Sequence, residues 1–245
     1  MILRHIHFPT PVPYTHADIL QQTLVKTLLT HKASPKTIPA PNPTILTAQF
    51  HPVYTCGRRE VGTLSKNQIN YLTAPTPLGT ASFHESLRGG QTTFHGPGQL
   101  VAYPIIDLRR HGLSPKCYVN YLEQCVMDIL IEGWSIKGIR TENPGIWIDQ
   151  ERKICAVGVH LRRNVTSHGI GLNLRTKMGW FERIVACGLE GKRVVNLEMV
   201  AGKGEGDMEV EKVAEMFVRR FGEGLEGVNA IRRIGQEEAF GQGEG

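Results

Sequence analysis

Between Arg88 and Pro104 the chain reads RGGQTTFHGPGQLVAYP, four glycines around a single histidine, running into a β-branched, aromatic stretch. Glycine lets a backbone approach a ligand closely and reaches conformations closed to other residues. Two readings stand for this loop. Gly89, Gly90, Gly96 and Gly98 cradle a ligand, with Arg88 supplying charge and His95 a polar group at a fixed point, or the segment is a tight connection carrying a surface histidine. Neither the dinucleotide GxGxxG spacing nor the P-loop spacing occurs in it, so nucleotide-phosphate chemistry is not indicated.

The thiols and one lysine offer a second chemistry. A cysteine becomes a nucleophile when its thiolate is stabilised and reachable; otherwise it packs as a small apolar side chain. Cys117 and Cys125 fall on a predicted helix and Cys155 alternates along a strand, which makes them structural, whereas Cys56 and Cys187 each precede a glycine in a turn that can present a thiol. Lys153 starts an otherwise apolar strand after a turn. It is either a solvated edge residue that discourages strand pairing or a group pointing into a pocket. In the pocket case desolvation lowers its pKa from about 10.4 and its charge pushes a nearby thiol, normally near about 8.5, toward thiolate. His168, in SHGIGLNL, lines the same cleft as His95 or is satisfied in the core, and His160 beside Arg162 and Arg163 reads as exposed.

These residues need elements to hold them. Thr15 and Asp18 look like a capping box ahead of Leu20, Leu24, Val25 and Leu28 at helical spacing, so a helix is expected over about 15–31. The proline-rich SPKTIPAPNP then breaks the chain before TILTAQFHPVYT, read as two short strands around Pro52. LVAYPII is the continuous apolar run of a strand covered on both faces. Ser114 and Pro115 suit an N-cap and first helical residue, and Tyr118, Leu122, Cys125, Val126, Ile129 and Leu130 form an apolar stripe, giving a helix over about 115–132. IWID, a turn at QER and KICAVGVHL make a hairpin, with TSHGIGLNL as a further strand. Val210, Val213, Ala214, Phe217 and Phe221 mark a last helix over about 207–221, and the polar GQEEAFGQGEG is expected to be disordered. Strands and helices mix without regular βαβ alternation, so the fold class is α+β, a mixed sheet flanked by helices.

Composition narrows the function classes. The chain has 245 residues, 40% hydrophobic and 21% charged, enough for one large domain with a real core. No apolar run reaches the length of a membrane span. The net charge of +5 is scattered in pairs such as RRH and HLRRN with no RNA-recognition motif, which argues against nucleic acid and for an acidic protein partner. The five cysteines are odd in number without CxxC spacing, so neither a disulfide framework nor a zinc site is expected, and no metal. MILRHIHF reads as a strand with no amphipathic leader ahead of it.

RGGQTTFHGPGQLVAYPIIDL, NPGIWID with KICAVGV, SHGIGLNL and ACGL, in this order and with HPVYTCGRR before them, resemble the lipoyl(octanoyl) transferases over about residues 1–200. The resemblance implies an acyltransferase that moves an octanoyl or lipoyl group from acyl carrier protein to a lysine of a lipoyl domain, through a cysteine thioester and without a cofactor. It implies Cys187 as the acyl-carrying nucleophile and Lys153 as the group that lowers its pKa and moves protons. Arg88, Gly89, Gly90, Gln91, Thr92, Thr93, Phe94 and His95 match the substrate-cradling loop, as do Ala156, Val157 and Gly158, and His168 with Gly169, Ile170 and Gly171. Ala186 stands where the family has proline and Gly171 where alanine is common.

The same resemblance implies a fold like that of biotin and lipoate protein ligases. It divides the chain into a catalytic domain over 1–205, a C-terminal helix and extension over 206–233 and a tail over 234–245. Octanoyl acyl carrier protein is the implied donor, and the implied acceptors are lipoyl-domain proteins such as the glycine cleavage H protein or the E2 subunits of 2-oxoacid dehydrogenases. The implied protein is a monomer working in the mitochondrion, with the cytoplasm as the alternative. Two rivals remain: an ATP-dependent lipoate or biotin ligase on the same fold, and an inactive module that binds acyl carrier or lipoyl domains.

Overall fold

The computed structural model describes residues 1–184, 191–202 and 208–240. In chain order these form β1 (Ile2–His7), α1 (Tyr14–Ala33), β2 (Thr44–Ala48), β3 (Val53–Cys56), α2 (Lys66–Thr73), β4 (Ser82–Glu85), β5 (Thr93–His95), β6 (Gln99–Ile105) and α3 (Pro115–Trp134). They continue as β7 (Ile146–Trp147), β8 (Arg152–Arg162), β9 (Val165–Asn173), β10 (Arg193–Val194), α4 (Leu197–Ala201), α5 (Val210–Glu223), β11 (Ala230–Arg233) and α6 (Gln236–Phe240). The larger sheet runs β10-β8-β9-β6-β2-β1-β11 with β7 added to β8, and the smaller runs β4-β3-β5. Both mix parallel and antiparallel pairs, so the expected mixed sheet is what forms.

The strands at the centre are the ones whose sequences can be covered on both sides. Every residue of β2, β6 and β9 is buried. One face packs Leu122, Val126 and Ile129 of α3 against Val213, Phe217 and Phe221 of α5. The other packs Leu20, Val25 and Leu28 of α1 over Ile6, Leu46 and Val101. The smaller sheet closes a separate cluster of Tyr54, Phe94, Trp180 and Phe181. Among the described residues no helix is long and apolar enough to cross a membrane.

Two starts and one end differ from the sequence expectation in instructive ways. Ser114 caps α3 as expected, its hydroxyl accepting from Cys117 N at 3.2 Å with Pro115 at the first helical position. The capping box at Thr15 does not form. Helix α1 begins at Tyr14 behind Pro13, which supplies no side-chain cap, and Asp18 instead accepts from the amide of Gln21. The real capping box is Ser65 with Gln68, at the unforeseen helix α2. Gln236–Phe240, within the stretch expected to be disordered, forms the short helix α6.

β9 departs from regular strand geometry at one residue. Its ladder with β6 runs from Asn173 opposite Gln99 to Ile170 opposite Ala102 and stops there, two residues short of Pro104, which has no N–H to donate. Immediately beyond, His168 takes φ 57°, an uncommon conformation for a non-glycine residue. Its freed N–H donates to Gln21 Oε1 of α1 at 2.6 Å, so the kink is held by a buried side chain.

Candidate active site

Three segments far apart in sequence close around one narrow cavity of about 40 Å³. Arg88, Gly89, Gly90, Thr93 and His95 line it from the glycine loop, Ala156–Gly158 from β8, and Gly169–Gly171 from β9, with Tyr103 of β6 beside them. The glycines are there because backbones touch. A Cβ on Gly57 would lie 2.0 Å from the carbonyl oxygen of Gly90, and one on Gly169 would lie 2.3 Å from that of Ala102. The loop's glycines thus answer to close backbone packing around the cavity, and His95 is buried rather than at the surface.

Arg88 holds the loop in shape. It is buried, and its guanidinium donates to Thr55 O at 2.6 Å and to Gly89 O and Gln91 O at 3.0 Å each. Gly89 N donates to Val159 O at 3.0 Å, which ties the loop to β8. Not all of the predicted loop faces the cavity. Thr92 turns away and donates to Glu60 Oε2 at 2.7 Å, and Gln91 and Thr92 line a different hollow against α2. Phe94 points into the smaller sheet's core, stacked on Trp180 with ring centroids 5.0 Å apart. The alternation along β5 decides this: Thr93 and His95 share one side and Phe94 takes the other.

His95 has a defined tautomer. Asn173 Nδ2 donates to Val195 O, which leaves its Oδ1 to accept from Gln99 Nε2 at 2.8 Å, and that amide also reaches Phe94 O. Gln99 Oε1 is then an acceptor, and His95 Nδ1, 2.7 Å away, must carry the hydrogen. The ring presents Nε2 as a lone pair. Burial, aided by the Arg88 charge, holds its pKa down to about 4, so the imidazole is neutral at physiological pH. His168 sits behind the cavity wall, its ring 5.3 Å from Tyr103, and burial lowers its pKa to about 3. Its Nδ1 and the Tyr103 hydroxyl are buried with no hydrogen-bond partner among the described residues.

Lys153 is buried and not at a solvated edge. Only 6% of it is exposed, and its Nζ lies over the Trp147 ring, 5.1 Å from the centroid. Gly145, at φ 125°, makes the room, since a Cβ there would meet Lys153 Nζ at 3.2 Å. Cys155 lies nearby but is no nucleophile: it is fully buried, and burial raises its pKa against the lowering effect of Lys153. Cys56, expected in a turn that presents it, is likewise buried at the end of β3 with its pKa raised. His160, expected to be exposed, is half-buried. Cys187 and Ala186 lie outside the described residues. The chain resumes at Gly191 and runs onto Lys153 directly: β10 pairs with β8 at Val194 opposite Lys153, and Val195 N donates to Lys153 O at 2.9 Å.

Residues 20–222 match the lipoyl protein ligase A/B catalytic domain. The chain belongs to that family. Within it, a probable octanoyltransferase of Schizosaccharomyces pombe is 45% identical over 200 residues, covering 80% of this chain and 87% of its own length. The mitochondrial octanoyl-acyl-carrier-protein:protein N-octanoyltransferase of Homo sapiens is 40% identical, covering 86% and 89%. The fold matches a lipoate-protein ligase A solved with ATP, at TM-score 0.65 and 12% identity over 98% of this chain and 92% of that one. It also matches a bipartite lipoate protein ligase solved as a lipoylation system with its E2 lipoyl domain, from Thermoplasma acidophilum, at TM-score 0.61 and 14% identity over 97% and 89%. The ligase-like fold implied by the sequence motifs is therefore the fold of this family member. Sequence reasoning missed Tyr103, Gln99 and Asn173, although the first two lie inside the motif itself, and Gly145, which the NPG triplet carries.

Proposed function

We propose that Cys187 carries the acyl group as a thioester and that Lys153 is its proton partner. The protein is an acyltransferase, an octanoyl-acyl-carrier-protein:protein N-octanoyltransferase like its relatives. The donor is octanoyl acyl carrier protein, and the acceptor is a lysine of a lipoyl-domain protein, the glycine cleavage H protein or a 2-oxoacid dehydrogenase E2 subunit. The fly and human relatives are named as mitochondrial, and the mitochondrion is the compartment of this activity.

The observation that supports the mechanism is a buried lysine on β8, three residues before the Ala156–Gly158 stretch that lines a glycine-walled slot. The Cys187 thiolate attacks the donor's thioester carbonyl, and the carrier thiolate leaves, taking a proton from Lys153. The acceptor amine then attacks the Cys187 thioester, its proton passes to the neutral Lys153 amine, and Cys187 leaves as thiolate. Exchange of thioester for thioester is near balance, and amide formation drives the second half without ATP.

Intact-protein mass spectrometry after incubation with octanoyl acyl carrier protein tests this. Wild type should gain one octanoyl group, Cys187→Ala none, and an apo lipoyl domain should discharge the adduct. Lys153→Met should acylate at least a hundredfold more slowly. An unmodified wild type that transfers octanoate only when ATP is added would sink the thioester mechanism.

A further inference from the structure

Seven arginines among the described residues face a carboxylate. Arg140 pairs with Glu123 at 3.1 Å, Arg220 with Asp128 at 2.7 Å and Arg233 with Glu211 at 2.5 Å, and Arg219 pairs with Glu132, all on the α3 and α5 side of the molecule. Around the cavity the pattern reverses. Arg58 and Arg162 are exposed, as are Arg59 and Arg163 beside them in the chain, and none has an ion-pair partner among the described residues. The nearest carboxylates in the chain are otherwise engaged: Glu60 accepts from Thr92 Oγ1 at 2.7 Å and Glu85 from Gly62 N at 2.7 Å.

Backbone hydrogen bonds bring these cations to the rim of the cavity. Arg58 N donates to Arg88 O at 2.9 Å, and Gly89 N to Val159 O at 3.0 Å, so Arg58, the cavity loop and β8 are laced together. His160 follows Val159, and Arg162 lies two residues on, on the same face of the strand. The half-buried His160 has its pKa lowered by burial and by the charges of Arg58 and Arg162, which puts both guanidinium groups within its field. Leu87, 50% exposed, stands at the same rim, one residue before Arg88. Arginines without an ion-pair partner among the described residues, around an exposed apolar side chain one residue before the lining and on β8 just past it, make a face for an anionic partner.

We propose that Arg58, His160 and Arg162, with Leu87, form the docking face for the acyl carrier protein that donates the octanoyl group. The assignment rests on the donor reading above. It favours donor over acceptor on charge: the carrier brings its acyl chain on a phosphodiester arm, whereas the acceptor brings a lysine ammonium, which a cluster of exposed arginines repels. Electrostatic docking of this kind acts mainly on encounter and on KM and weakens with salt.

The test is the Arg58→Gln/Arg162→Gln double variant of the full chain, assayed with octanoyl acyl carrier protein and with octanoyl-pantetheine, which has neither phosphate nor carrier protein. KM for the carrier donor should rise about tenfold at low salt and its salt dependence should flatten, with KM for the lipoyl domain and turnover from octanoyl-pantetheine within twofold of wild type. An unchanged carrier KM, an equal loss with octanoyl-pantetheine, or a rise in acceptor KM alone overturns the assignment. Direct binding of fluorescently labelled carrier separates this from the function itself. Wild type that binds carrier, with the double variant not doing so, and no transfer by either, would uphold the face and overturn the reaction; wild type that neither binds nor transfers would overturn both.

Discussion

Gly171 stands in the same wall as Gly169, yet the two tolerate a methyl group very differently. A Cβ at 171 would sit 3.4 Å from Gln99 Oε1 and 3.5 Å from His95 Cε1, ordinary contact, whereas one at 169 would sit 2.3 Å from the Ala102 carbonyl oxygen. Gly171→Ala should therefore hold or raise stability by up to about 1 kcal/mol through the unfolded chain's lost freedom. Gly169→Ala should lose about 1–3 kcal/mol or more to forced backbone shifts. Urea denaturation of the two variants side by side checks this. Tyr103 supplies a second contrast: its hydroxyl is buried without a partner among the described residues, so Tyr103→Phe should leave the melting temperature unchanged or higher. If the hydroxyl meets the acyl group's carbonyl, the variant should also lower kcat/KM with octanoyl carrier by about tenfold. The sequence offers the types of these residues and not their surroundings; two glycines in one motif look alike until the strands that flank them are placed.

The two long helices show how far local signals reach. Ser114 ahead of Pro115 suffices for α3 because a cap needs only the residues next to it, and Ser114→Ala should cost about 1 kcal/mol. Thr15 has the same look at the start of α1, but the helix begins a residue earlier and its hydroxyl caps nothing. Thr15→Ala should change stability by less than about 0.5 kcal/mol, and a chemical denaturation series with both variants decides between the two. The strand hairpin of β7 and β8 and the apolar run of β6 were legible for the same local reason. The bend of β9 was not, because it depends on Pro104 in a neighbouring strand and on Gln21 in a helix 147 residues away in the chain.

Across the whole molecule, histidines buried as neutral rings set how stability answers to acid. His5 and His95 have pKa values of about 4 and His168 of about 3, against about 6.5 in an unfolded chain. Because the folded values are depressed, their contribution is complete above pH 6.5 and is lost as the pH falls from there toward 4. Each forfeits on the order of 3 kcal/mol by the bottom of that window. The midpoint of urea unfolding should be flat between pH 7 and 8 and drop steeply between 6.5 and 4.5; a midpoint constant down to pH 5 would mean these rings are solvated. By itself the sequence determined the elements with local signals, the mixed α+β class, and the motif residues through which the family is known. The tertiary structure decided that Lys153 is buried over Trp147 and that Gln91, Thr92 and Phe94 face away from the slot. It also decided that Gln99 and Asn173 fix the proton on His95. Those are matters of which strand lies beside which, and a strand's neighbours are set by long-range packing that no window of sequence contains.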